Sequence, residues 1–83
     1  MYSKKNDLGY NRLGISVSKK VGNSVVRHHI TRLIRESYRL NHDTLRQSYD
    51  MVVIARKNAK DANYHIIESA FLHLVNMHHL KKS

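Results

Sequence analysis

The stretch that most limits what this chain can fold into is residues 19–39, KKVGNSVVRHHITRLIRESYR. It opens on two lysines and a Val-Gly-Asn break, then takes up apolar residues at helical spacing. Gly22 tolerates a backbone angle that side chains resist, and Asn23 offers an oxygen to an unpaired first-turn amide. At about 100° per residue, Val26, Ile30, Leu33 and Leu40 fall within one arc, with Ile34 at its edge. The opposite arc carries His28, Arg32, Arg35 and Arg39, while Ser24, Arg27 and Thr31 lie on the flank. Glu36 is the only acid in the stretch. One side of this helix requires a core, and the other requires an anion.

A chain of 83 residues builds one domain around a single core. Its formal net charge of +9 makes nucleic acid the leading partner class. A plain solvated surface fits less well, because like charges at i, i+4 destabilise a helix by about 0.2–0.5 kcal/mol per pair unless an anion relieves them. The absence of cysteine excludes disulfides and thiolate metal sites and fits a reducing cytoplasm. The longest apolar run, 51–55, is too short to span a bilayer, and no secretory apolar segment opens the chain. No membrane partner is expected.

In chain order, residues 1–11 read as a strand end followed by a turn. Residues 12–18 alternate: Leu13, Ile15 and Val17 point to one face, and Arg12, Gly14, Ser16 and Ser18 to the other. The second set is small enough to let an extended ligand approach the sheet. Residues 41–48 carry the helix end and a connection, and 50–56 read as a strand covered on both faces. After a polar loop at 57–61, Asp61 or Asn63 caps a second helix to about residue 79. Its apolar arc is Tyr64, Ile67, Ala70, Phe71, Leu74 and Met77, and 81–83 form a frayed tail. The order strand, helix, strand, helix predicts an α+β fold with helices packed on a small sheet. Its crossover joins two parallel strands, right-handed by default.

Autonomous catalysis has little raw material. Asp7, Glu36, Asp43, Asp50, Asp61 and Glu68 are scattered, with no pair placed for acid–base work. No glycine-rich phosphate loop or serine elbow is present. The histidines, including the pairs at 28–29 and 78–79 and those at 65 and 73, lack the i, i+4 spacing with a carboxylate that zinc sites use. They read as surface or RNA-facing groups, and His28 would hold a phosphate more strongly when protonated. Phe71 and Tyr64 read as core; Tyr2, Tyr10, Tyr38 and Tyr49 are freer, and Tyr2 is placed to stack on an unpaired base if its strand joins the open face. A helix-turn-helix DNA reader is disfavoured because a strand precedes the basic helix. A structural or ribosome-associated RNA-binding module is the alternative reading.

Residues 12–39, RLGISVSKKVGNSVVRHHITRLIRESYR, resemble the signature region of the bacterial ribonuclease P protein component. There a strand ending in Ser-Lys-Lys leads through Val/Ile-Gly-Asn into a helix with an Arg-Asn-Arg core followed by Lys-Arg-x-Ile-Arg. Lys19, Lys20, Gly22, Asn23, Arg27, Arg32 and Arg35 match by position, and the later YDMVVIARKNA is similar to the family's final strand. His28 and His29 stand where Asn and Arg are usual, and Thr31 where Lys is usual; the last two remove fixed charge. Family members also begin with a basic N-terminal helix, so residues 1–83 are expected to be one such domain lacking it. Tyr2 would remain from the first strand.

The resemblance implies a two-layer α/β sandwich whose βαβ crossover is left-handed, in place of the default above. It implies an RNA component that hydrolyses the phosphodiester with bound magnesium (Mg2+), and a protein that contributes no catalytic or metal-ligating residue. The protein would bind ribonuclease P RNA and the 5′ leader of precursor tRNA in the cytoplasm, with no protein partner required. The implied RNA-binding set is Lys19, Lys20, Asn23, Arg27, His28, His29, Arg32, Arg35 and Arg39. The implied leader cleft is Tyr2, Ser16, Thr31 and Arg35.

Overall fold

The computed structural model describes residues 1–81, the side chain of Asn58 excepted. Of the tail expected to fray, residues 82–83 lie outside the described residues, while Lys81 is held in a bridge to Leu45. The elements run β1 (Tyr2–Lys5), β2 (Arg12–Val17), α1 (Ser24–Asn41), β3 (Tyr49–Ala55) and α2 (Tyr64–Met77). The sheet order is β1-β3-β2, with β1 antiparallel and β2 parallel to β3. The β-branched run therefore takes the centre, as its composition favours. The parallel pairing of β2 and β3 across α1 agrees with the two parallel strands expected.

The alternation in β2 sends Leu13, Ile15 and Val17 to the same side as Met51, Val53 and Ala55 of β3. Ile30 and Ile34 of α1 and Ile67, Phe71 and Val75 of α2 close that core. Both helices cover one face and leave the other bare. β3 is thus not covered on both faces, contrary to its continuous apolar sequence: Val52 is exposed and Ile54 only half-buried.

The helix starts follow the expected chemistry. Asn23 Oδ1 accepts from Val26 N at 3.0 Å, and Asn63 Oδ1 accepts from Ile66 N at 2.9 Å. A side chain at Gly22 would be crowded, since a Cβ there would stand 3.0 Å from Val26 Cβ and Cγ1. α2 stops at Met77 rather than 79 because His79 turns into the left-handed region at φ 55. Leu80 N then donates to Val75 O and His79 N to Asn76 O, a Schellman closure that buries Leu80.

The apolar arcs are rotated from their expected centres. On α1 the buried line is Ile30, Ile34 and Ser37, whereas Leu40 is 56% exposed. Ser37 is small and its hydroxyl is satisfied by Leu33 O at 3.0 Å, so α2 can lie close across it. On α2, Val75 is buried in place of Met77, which is 61% exposed, and Ala70 is exposed. Two side chains expected elsewhere join the packing. Tyr38 stands edge-on to Phe71 at 6.4 Å, and Tyr49 packs against the core. Tyr64, expected as core, is half-buried and donates to Glu68 Oε2 at 2.8 Å. Asn41 reaches the same oxygen at 3.1 Å, tying α1 to α2. These two hydrogen bonds, Tyr64 first, hold the Glu68 carboxyl below its usual range.

Candidate nucleic-acid interface

The bare sheet face is built by register. Tyr2, Val52 and Gly14 form one row, Lys4, Asp50 and Arg12 the next, and Ile54 with Ser16 a third. Tyr2 is 69% exposed and Ser16 is exposed, so no helix covers the small residues of β2. An aromatic ring beside a glycine and a serine offers a stacking surface with room for an extended strand.

The row of Lys4, Asp50 and Arg12, at the end of the sheet where β2 begins, carries an ion pair that no short-range pattern announces. Arg12 Nε and Nη2 donate to Asp50 Oδ1 and Oδ2, both at 2.7 Å, and Asn6 Nδ2 donates to Oδ1 at 2.8 Å. Arg12 first, then Asn6, pull the Asp50 carboxyl from 3.8 to about 2. A lowered carboxyl stabilises the fold above its unfolded pKa and loses that contribution as pH falls through its folded pKa. Asp50→Asn is therefore expected to lower Tm at neutral pH, with the gap to wild type shrinking between about pH 4 and 2. Thermal unfolding of both proteins across that range checks it; a gap unchanged down to pH 2 would contradict the assignment.

On α1, His28, His29, Arg32 and Arg35 are all exposed, and so are Lys19 and Lys20 on the 3₁₀ turn before it. Among the described residues none of these six takes part in an ion pair. Three other expected contacts are altered by their surroundings. Arg39 is paired with Glu36 one turn back, Nε to Oε2 at 3.2 Å and Nη2 to Oε1, which holds the Glu36 carboxyl below its usual range. Arg27 is half-buried, and its Nε has no hydrogen-bond partner. Asn23 is exposed, but its oxygen is engaged in the cap, leaving only its NH2 group free to donate.

The expected leader cleft is assembled only in part. Tyr2 and Ser16 share the bare face. Thr31 and Arg35 belong to α1, which packs through Ile30 and Ile34 on the opposite, core side. Thr31 is half-buried and donates to Arg27 O at 3.0 Å, so its hydroxyl has only acceptor capacity to spare. Among the described residues no three His, Cys, Asp or Glu side chains gather into a possible metal site. No helix among them is long and apolar enough to cross a membrane.

Residues 1–79 match the family model described as Ribonuclease P. A ribonuclease P protein component from Lachnoclostridium phytofermentans is 58% identical over 83 residues, covering 100% of this chain and 72% of that protein. The one from Alkaliphilus metalliredigens is 56% identical over 75 residues, covering 90% of this chain and 68% of its own. Among solved structures, the RNase P protein of Staphylococcus aureus superposes with a TM-score of 0.87 at 36% identity, covering 98% of this chain and 74% of that one. That of Thermotoga maritima gives 0.81 at 30% identity, covering 90% and 72%. With the family match, the sequence identities and the superposed folds in agreement, the chain belongs to the ribonuclease P protein component family.

Proposed function

We propose that α1 and its preceding turn dock on the catalytic RNA while the bare sheet face receives the 5′ leader of precursor tRNA. As a ribonuclease P protein component the chain is a subunit of an endoribonuclease that processes the 5′ ends of tRNAs, and ribonuclease P RNA is its partner. The observation that carries the finer reading is Arg32 and Arg35, exposed on α1 with no ion pair among the described residues. Unpaired cations on a rigid ridge favour a polyanion and are relieved by it. The stacking surface at Tyr2, Gly14 and Ser16 supports a single strand on the sheet.

In this reading hydrolysis belongs to the RNA component, which also holds magnesium. The scattered acids supply no acid–base pair, and the described residues supply no ligand cluster. The protein's part is positional: fixing the leader relative to the scissile bond reduces the entropy lost in reaching the reactive geometry. The assembly would work in the cytoplasm with no further protein.

Reconstitution with ribonuclease P RNA tests this. The protein is expected to raise affinity for leader-bearing precursor over leaderless tRNA and to lower the magnesium needed for leader removal. Equal affinity for both tRNAs, with RNA binding intact, would leave a structural RNA-binding module and remove the leader assignment.

A further inference from the structure

Away from the α1 ridge, a second group of cations converges at the carboxyl ends of the two parallel strands. β2 and β3 finish in register, Val17 opposite Ala55, and Ser18 N donates to Ala55 O at 2.9 Å. Each strand then leaves the sheet through a 3₁₀ turn, Lys19–Val21 after β2 and Lys57–Ala59 after β3, and the two turns touch. Lys20 from the first, Lys57 from the second, and Arg56, Lys60 and Asp61 flanking the second, line an open hollow of about 650 Å³.

The backbone fixes this cluster. Ala59 N donates to Arg56 O at 2.9 Å, Lys60 N to Lys57 O at 3.3 Å, and Ala62 N to Ala59 O at 3.1 Å. Four cations thus face one carboxylate, and among the described residues none of the five is in an ion pair. Such a wall repels itself until an anion arrives. Parallel sheets collect ligands outside the carboxyl ends of their strands, which is where this hollow lies. Four cationic side chains around one open hollow suit a phosphate group.

We infer that this hollow is a second phosphate anchor, taking a phosphodiester of the RNA backbone at a point separate from Arg32 and Arg35. The inference rests on the RNA-binding reading above, and Lys20 joins the two sites. The source of the phosphate is the catalytic RNA or a leader strand that crosses the sheet past Ser16 and Ile54.

The test uses the full chain carrying Lys57→Gln and Lys60→Gln together, with Arg46→Gln as control. Arg46 is exposed in the loop before β3, at the other end of the sheet. Affinities for ribonuclease P RNA alone, and for precursor with and without leader, are measured across a salt range. The double variant is expected to flatten the log–log salt slope by about 1.4–1.8 and to weaken binding roughly fifteen- to thirtyfold at about 0.15 M salt. Arg46→Gln is expected to leave the slope unchanged, and Lys57→Arg with Lys60→Arg to retain it. Loss with the catalytic RNA alone assigns the phosphate to that RNA; loss only with leader-bearing precursor assigns it to the leader. An unchanged slope with both RNAs, or an equal change in Arg46→Gln, overturns the anchor. So does orthophosphate saturating the Lys57 and Lys60 amide signals while displacing no RNA. If wild type fails to prefer leader but the double variant still flattens the slope, the leader reading falls and the anchor stands.

Discussion

Replacing Arg32 and Arg35 together with alanine is expected to weaken binding to ribonuclease P RNA roughly fifteen- to thirtyfold at about 0.15 M salt. The estimate follows from counterion release: each lost phosphate contact removes about 0.7–0.9 from the salt slope, or roughly four- to fivefold in affinity at that concentration. Both side chains are exposed, and no carboxylate among the described residues neutralises them. Arg39→Ala supplies the internal contrast. Its guanidinium already engages Glu36, so its removal is expected to change the slope far less. Titrations of all three variants at several salt concentrations decide the matter. A slope unchanged in the double variant, or an equal effect from Arg39→Ala, would show that the ridge does not meet phosphate where proposed.

Phe71→Ala is expected to destabilise the fold by about 3–5 kcal/mol, a large share of what an ordinary domain of this size possesses. Phe71 is 2% exposed and meets Tyr38 edge-on, so its loss removes both buried area and an aromatic contact across α1 and α2. The ring also borders an apolar groove of about 200 Å³ lined by Ile34, Val53, Ile67 and Leu74, beside the part of β3 that β1 does not pair. Truncation would enlarge that space rather than let the walls collapse. Urea unfolding measures the loss, and a midpoint shift equivalent to less than about 1 kcal/mol would mean the ring is not part of a packed core.

Most of the secondary structure was legible because its causes are local. Asn23 and Asn63 cap helices through amides three residues away, and the alternation from Arg12 to Val17 needs no partner to be read. The Glu36–Arg39 pair is equally local, at i, i+3, and it engages a cation expected in the RNA-binding set. The rotation of the α1 arc was not legible. Whether Leu40 or Ser37 faces inward depends on where α2 crosses, and a small polar residue gives no hydrophobic signal for close approach.

The candidate site divides in the same way. The cationic ridge on α1 and the small residues of β2 follow from 3.6- and 2-residue periods, so the sequence alone determined them. Only the tertiary structure decided that Asp50 falls between Lys4 and Arg12, that β3 keeps one face bare, and that Lys20 meets Arg56, Lys57 and Lys60 in one hollow. Those arrangements join residues some 36 to 46 positions apart in the sequence, through a strand register that a one-residue slip would invert. No short-range pattern encodes that choice. It is made by burying Met51, Val53 and Ala55 together with Leu13, Ile15 and Val17 beneath the two helices.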